Sequence, residues 1–428
     1  LAAIFFRAAD SKSLADQAAR SLVLGWWMDP ASLKALDEVL CVWFKAPHSF
    51  TGEDVVEVHA HGGTYHLQAL LQGLLKAGAR LAKPGEFTQR AFVNGRMDLT
   101  RAEAVVDLIQ SGTALSHAAA ARQLAGGLME RVETLREGVI DCSALVEAAV
   151  DFPDEEEQLL PKAGLLAKVR ASRKNMRELL DTAREGRMLT QGMRVTLAGL
   201  PNVGKSSLMN ALLGEARSIV TPVAGTTRDY IEELLSIQGF PVRLTDTAGL
   251  RDSADAAEQE GVKRSHERML SADLVLLVLD PTRALQAGEL DLVNSVSAEV
   301  IFVVTKDDLD SLWKPVDLKT GHAVVRVSSK TRVGLEELKE RILDVALKGK
   351  ASALLDKVVL TQARHEDAMR RAEISLGHVE DTLVAGKLSA EFLSGDLRET
   401  LDALGEIVGK TSREDVVNAI FSKFCIGK

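Results

Sequence analysis

Two hydrophobic rhythms divide the chain. Residues 1–97 carry short apolar or alternating runs. Ala2-Ala3-Ile4-Phe5-Phe6 and Val39-Leu40-Cys41-Val42-Trp43-Phe44 read as buried strands. Asp54-Val55-Val56-Glu57-Val58-His59-Ala60-His61 alternates, as a half-buried strand does, and Leu67 to Ala77 follows the helical period. From residue 98 the helical rhythm takes over. Thr100-Arg101-Ala102-Glu103 has capping-box spacing, and apolar residues recur at helical intervals to about Val150. The acidic run Asp151-Phe152-Pro153-Asp154-Glu155-Glu156-Glu157 breaks the pattern and reads first as a solvated turn. A second helical stretch runs from about Gly164 to Arg184. Then apolar runs alternate with helical segments: Val195–Ala198, Leu274–Leu279, Val300–Val304 and Ala323–Val327. That is the pattern of a doubly wound sheet. Helix returns at Leu354–Val384, Glu391–Leu404 and Glu414–Phe421. Helices on both sides of an α/β block predict a helical domain into which that block is inserted. The predicted fold class is multidomain, α/β plus all-α. It comprises an N-terminal α+β domain (1–97), a helical domain in two parts (98–190 and 349–428) and a doubly wound insert (191–348).

Composition narrows this picture little. Apolar residues make up 46% and charged residues 26% of 428 positions, an ordinary globular balance in a chain too long for one core. The net charge of −9 argues against non-specific coating of nucleic acid, while leaving room for a local basic patch. Cys41, Cys142 and Cys425 are odd in number and far apart, which predicts free thiols and a reducing cytoplasm. No apolar run is long enough to span a membrane. The chain starts at Leu1, without Met and inside an apolar run, so the natural N-terminus is expected to lie further upstream. His59 and His61 stand two apart and raise the idea of a metal, but no third ligand stands nearby.

The chemistry concentrates in the insert. Gly199-Leu200-Pro201-Asn202-Val203-Gly204-Lys205-Ser206 lies between an apolar run and the helix-like Ser207-Leu208-Met209-Asn210-Ala211-Leu212-Leu213. Strand, glycine-bounded loop and Lys-Ser at a helix start cradle phosphates with backbone N–H groups, helix-end charge and an ammonium. The Ser206 hydroxyl can ligate the Mg²⁺ of a nucleoside triphosphate. The plain alternative is a glycine-rich turn before a surface helix. Asp246-Thr247-Ala248-Gly249 ends a later strand, where a carboxylate can reach the Mg²⁺ water shell and Gly249 N–H the γ-phosphate. Gly225-Thr226-Thr227-Arg228-Asp229 lies between them, and a threonine there can close over the metal. Thr305-Lys306-Asp307-Asp308 offers Asp308 to the guanine N1–H and amine, with Lys306 along the base. Ser328-Ser329-Lys330 can bring a backbone N–H to guanine O6. In that order these elements predict a GTPase. An Asn usually stands where this chain has Thr305, whose hydroxyl can replace part of the amide's tethering. Leu250 follows Gly249 where small GTPases carry the Gln that orients the attacking water. Another group must therefore place that water, and Glu258 and Glu260 are the nearest glutamates, each with the plain alternative of a solvated side chain.

Further motifs accompany the insert: Ser49-Phe50-Thr51-Gly52-Glu53-Asp54, Pro84-Gly85-Glu86-Phe87, Asp151–Glu155 and the tail Phe424-Cys425-Ile426-Gly427-Lys428. Together they make the chain, from about Ile4 to Lys428, resemble the MnmE (TrmE) family of bacterial tRNA-modification GTPases. The resemblance implies an N-terminal dimerisation and folate-binding domain, a helical domain and a Ras-like P-loop GTPase domain inserted in the latter. It implies a cytoplasmic homodimer that works on tRNA with the FAD-dependent partner MnmG (GidA), adding an aminomethyl or carboxymethylaminomethyl group at C5 of the wobble uridine. By the same resemblance, the one-carbon unit is expected from 5-formyl- or methylene-tetrahydrofolate, and hydrolysis is expected to start when two inserted domains meet with K⁺ bound. Carried over by position, Asn202, Thr221, Val223 and Thr226 match the K⁺ ligands, and Ser206 and Thr227 the Mg²⁺ ligands. Glu258 matches the glutamate that orients water through a bridging water, and Arg228, Asp229 and Arg251 match residues that couple the switches. The GTP contacts are then Asn202 to Ser207 (Val203, Gly204, Lys205 and Ser206 within), Thr221, Thr226, Thr227, Asp246, Thr247, Ala248, Gly249, Thr305, Lys306, Asp308, Ser328, Ser329 and Lys330. Arg7, Glu57, Arg96 and Lys428 match the folate contacts, although Ala8-Ala9-Asp10 departs from the family's Ile-Ser-Gly after Arg7. Cys425 is the family's C-terminal cysteine, with a chemical role or simple packing both open to it. Two other readings stand beside this one: an assembly GTPase of the ribosome-maturation kind without folate chemistry, and a P-loop ATPase, which Lys306 and Asp308 oppose.

Overall fold

The computed structural model describes all residues except 30–31, 33, 152–161, 217–231, 247–268, 287, 292–295, 315–317, 319–320, 348–356, 387–389 and 428. The chain divides into two compact units, residues 1–106 with 405–428, and residues 107–404.

In the first unit, β1 (Phe6–Ala8), β2 (Val23–Met28), β3 (Ala35–Phe44) and β4 (Val55–His59) form an antiparallel sheet in that order. Helix α2 (Thr64–Lys76) supplies Leu70 to the core of Phe5, Phe6, Trp27, Val39 and Cys41, where Phe5 stacks on Trp27 with ring centroids 5.2 Å apart. The run expected as a first strand splits. Ala2–Phe5 is a helical turn, α1, and only Phe6 onward pairs with β2. Ile4 is 57% exposed, so the run is not buried throughout, and a short apolar run does not distinguish helix from strand by period. Helices α3 (Glu86–Val93), α4 (Leu99–Gln110) and α13 (Glu414–Phe421) carry Phe92, Leu99, Ala102 and Phe421 into a second small core with Phe424. The cap of α4 is Asp98 rather than Thr100. Its carboxylate accepts from Thr100 N at 2.9 Å and Arg101 N at 3.2 Å, satisfying N–H groups that the helix leaves unpaired.

The second unit holds the remaining helices and a larger sheet. The long helical run resolves into α4, α5 (Ala114–Leu124) and α6 (Gly127–Asp151), with Gly126 at φ +101° before α6. Thr113 and Ser116 form the reciprocal capping box of α5. α7 (Lys162–Leu180) packs on α6 and on α11 (Ala363–Ala385), and α8 (Ala183–Gln191) leads into the sheet. Helix α11 starts nine residues after the expected Leu354. Lys357–Thr361 instead run alongside α8, where Leu360 N donates to Thr182 Oγ1 and Thr361 Oγ1 to Gln123 Oε1. Tertiary partners there satisfy groups that a helix would otherwise satisfy internally. Helix α12 (Ala390–Val408) follows and continues into the first unit.

The sheet contains β5 (Met193–Ala198), β6 (Glu232–Ile237), β7 (Phe240–Asp246), β8 (Leu274–Leu279), β9 (Glu299–Val304) and β10 (Ala323–Arg326) in the order β10-β9-β8-β5-β7-β6. All neighbours are parallel except the β6–β7 hairpin. The sheet is doubly wound, as expected, with an antiparallel edge strand the apolar pattern does not reveal. Helices α9 (Lys205–Ala216) and α10 (Leu335–Leu347) pack Leu208, Leu212, Leu338 and Ile342 on one face, while Val275, Leu277, Val300 and Phe302 fill the core of the other. The strand order reverses at β5, so a crevice opens beyond its carboxyl end.

Candidate nucleotide site

The phosphate loop occupies that crevice. Gly199 sits at φ +138°, and a Cβ there would lie 2.4 Å from Val278 O, so only glycine lets the loop leave β5 so close to β8. Asn202 and Gly204 also have positive φ, at 63° and 102°, which curls the loop toward the start of α9. Lys205 is buried, its ammonium donating to Gly199 O at 2.8 Å and Leu200 O at 2.9 Å, which places it in the mouth of the loop. Ser206 Oγ donates to Asp246 Oδ2 at 3.0 Å. The sequence separates those two residues by forty positions; the β5–β7 pairing brings them together. A hydroxyl and a carboxylate oxygen side by side are hard donors of the kind Mg²⁺ takes, so the residues present fit that ion.

The base-side residues converge from β9 and β10. Thr305 is 2% exposed, and its hydroxyl lies 2.7 Å from Val203 O and 3.0 Å from Leu279 O. It thereby ties the end of β9 to the phosphate loop, the tether expected of a hydroxyl at this position. Asp308 Oδ1 accepts from Ser328 Oγ at 2.6 Å, and Ser328 Oγ accepts from Thr331 N at 3.1 Å. The Ser328 hydroxyl holds the Asp308 carboxyl below the usual carboxylate range. Lys306 meets Asp280, which with Thr282 lies just past β8 and is not singled out by any motif. The available signal is positional: Asp280 ends an apolar strand as Asp246 does.

Ser207 and Lys330 are exposed at the loop and at the end of β10, and Ser329 is half-buried. Thr221, Val223, Thr226, Thr227, Arg228, Asp229, Thr247, Ala248, Gly249, Arg251, Glu258 and Lys428 lie outside the described residues. Of the expected K⁺ ligands, the described residues include Asn202, exposed on the loop.

In the first unit, register places Arg7 and Glu57 on one sheet face, through Trp26, Glu38 and Val42. They stand on opposite edges of the sheet, three strand spacings or about 14 Å apart across it. Arg96 is exposed after α3, with its aliphatic stem against Gly52. One copy of the chain therefore does not bring Arg7 and Glu57 together. It does bring together two distant motifs: Pro84 bridges Ile426, and Gly85 N donates to Cys425 O at 3.4 Å. Cys425 is exposed, whereas Cys41 is buried and its thiol is pushed up to about 12 by burial. Asp37 accepts from His61 N and pairs with His61 Nδ1 at 2.7 Å and His66 Nε2 at 2.9 Å. No group of three metal-ligating side chains occurs among the described residues, and no described helix is long and apolar enough to cross a membrane.

The amino-acid sequence matches known proteins along nearly the whole chain. The family description "MnmE helical domain" matches residues 99–425, and "GTP-binding protein TrmE N-terminus" matches residues 2–96. The tRNA modification GTPase MnmE of Syntrophotalea carbinolica is 46% identical over 400 residues, 92% of this chain and 87% of that protein. The protein of that name from Aquifex aeolicus is 43% identical over 396 residues, with the same shares covered. The G domain of the Thermotoga maritima FeoB iron transporter is 33% identical over 36% of this chain and 98% of its own, at a TM-score of 0.28. The strand order and the phosphate loop define the fold of this sheet. Matched by both of the family's domain descriptions from residue 2 to residue 425 and 46% identical to a member over 92% of its length, the chain belongs to the MnmE family.

Proposed function

We propose that the chain hydrolyses GTP in tRNA modification, as a K⁺-dependent homodimer acting with MnmG on the wobble uridine. The observation that carries the reading is the convergence of Lys205, Ser206, Asp246, Thr305 and Asp308 at one sheet edge, in a chain 46% identical to a tRNA modification GTPase. Loop N–H groups and Lys205 would take the β- and γ-phosphates, and Ser206 and Asp246 would hold Mg²⁺ directly and through water. Bound there, the ion would supply neutralisation of the phosphate charge. Asp308, oriented by Ser328, would receive the guanine N–H groups. With leucine after the Asp246–Gly249 motif, the attacking water falls to Glu258.

An exposed apolar strip supports the dimer. Leu24, Trp26 and Leu40 share the sheet face of Arg7 and Glu57 and are 48%, 46% and 37% exposed. A second copy seated there would cover apolar surface that is costly to leave in water. It would also bring its own Arg7 and Glu57 toward this copy's, and the opposite charges suit a folate with a carboxylate tail and a pterin amide edge.

GTP turnover measured in K⁺ and in Na⁺ over a series of protein concentrations tests the proposal. The expected result is a rate per molecule that climbs with concentration in K⁺ and stays low in Na⁺, with nucleotide affinity little changed. Equal, concentration-independent rates in both salts would sink it. Titration of 5-formyltetrahydrofolate against the full chain tests the folate part alone, and absence of binding removes that part.

A further inference from the structure

We propose that Asp280 is a positioning residue for the nucleotide base: it fixes the tip of Lys306, the lysine laid along the guanine ring. The inference rests on the GTPase reading and adds a residue to it. Asp280 follows β8, a strand buried at all six positions, and its own side chain is 5% exposed. A carboxylate at that depth requires partners. Lys306 Nζ lies 2.5 Å from Oδ2, while Thr282 Oγ1 and Thr282 N donate to Oδ1 at 2.7 and 3.0 Å. Burial alone would raise the Asp280 carboxyl, but these donors outweigh it and hold the group below its ordinary value. The loop that carries Thr282 is itself tied down. Leu312 N donates to Pro281 O at 2.7 Å, and Trp313 Nε1 to Arg283 O at 2.9 Å.

Lys306 is constrained at its other end too. Its φ is +56°, a left-handed conformation that L side chains disfavour, and it follows Thr305, pinned to Val203 and Leu279. The backbone thus sets the direction in which the stem leaves, and Asp280 sets where the ammonium ends. A free lysine stem samples many rotamers and would lose them on stacking against a base. Fixing it before the nucleotide arrives removes that loss from the binding step. Such a contribution is the same in ground and transition states, so it belongs to affinity and KM rather than to kcat.

The test uses the full chain with Asp280→Asn, Lys306→Met and the double variant; methionine keeps an apolar stem and drops the ammonium. Fluorescent GDP titration and steady-state GTP turnover are read for each. Asp280→Asn is expected to raise Kd for GDP and KM for GTP about tenfold, the worth of a charged hydrogen bond, with kcat altered less than about twofold. The double variant should be no worse than Lys306→Met alone. Additive losses, or a fall in kcat with KM unchanged, would overturn the assignment, because Asp280 would then act on something other than the lysine. Thr282→Val, which loosens the carboxylate without removing it, should raise KM about threefold and lose its effect in the Lys306→Met background. It keeps the test decisive should Asp280→Asn fail to fold. Failure of the GTPase reading appears separately, in the unaltered chain, as ATP binding equal to GTP.

Discussion

Thr305 is the residue on which several connections depend. One buried hydroxyl reaches Val203 O in the phosphate loop and Leu279 O at the end of β8. Thr305→Val keeps the shape and leaves Val203 O without this donor, so it should cost about 1–3 kcal/mol in urea denaturation and weaken GTP binding. Thr305→Ser should retain most of both; an unchanged valine variant would show the contact to be incidental. The phosphate loop is legible in the sequence because its glycines encode backbone geometry: Gly199 is required where Val278 O comes within 2.4 Å of a would-be Cβ. Thr305 is legible because it stands inside a spaced motif. Asp280 is not, since a lone aspartate after an apolar run has no spacing to mark it, and only the fold shows that Lys306 reaches it. The folate-matched residues show the converse. Arg7 and Glu57 match a family pattern, yet three strand spacings separate them within one copy, so one chain by itself does not build a site from the pair.

At the level of elements, legibility follows burial. Strand β8 stands out because every position is apolar and every position is buried. Strands β2 and β6 do not, since β2 contains Gly25 and the exposed Trp26, and β6 opens with Glu232 and Glu233. Helices α7 and α11 are legible singly, but not their pairing, which a partly buried ionic ladder holds. Arg173 donates to Glu380 at 2.5 Å and Glu373 at 2.8 Å, while Arg170 and Arg177 flank it on the same carboxylates. Arg173 lies over Gly377, where a Cβ would come within 2.9 Å of its guanidinium. Arg173→Ala should destabilise the fold by about 2 kcal/mol at neutral pH, as partly buried charged hydrogen bonds do. The acid dependence has a definite sign. Hydrogen bonds from Arg170 and then Arg173 hold the Glu380 carboxyl below its ordinary value. Its contribution is therefore complete above the ordinary glutamate range and is lost as pH falls through the lower folded value. The difference between wild type and Arg173→Ala should accordingly shrink below about pH 4, near the glutamate reference value. A difference of the same size at pH 3 and pH 7 would assign the loss to packing.

Over the whole molecule, the elements β5 through α10 lie in sequence between α8 and α11, helices of the same unit. The arginines of α7 meet their glutamates on α11 across 196 to 210 positions of sequence. Thr361 likewise meets Gln123 across 238. The extended segment that carries Thr361 passes so close to α8 that a Cβ on Gly186 would fall 2.2 Å from Leu360 O. A consequence follows for synthesis on the ribosome, where the chain emerges from its N-terminus. When α7 and α8 leave the exit tunnel, α6 and α5 are already present, but α11 and the Lys357–Thr361 segment that complete their cover have not been translated. The sheet can close first, because β5 through α10 are contiguous and, from outside that span, the described buried residues of their cores include only Met188 and Leu189, already synthesised, and Val359, soon after α10. Its closure brings the flanking segments near each other and removes most of the chain entropy that joining them would cost. In ribosome-stalled chains, strand amides between β5 and β10 should reach full protection from hydrogen exchange before those of α7, which should reach it only once α11 has emerged. Full protection of α7 in chains stalled before α11 would reverse that order of assembly.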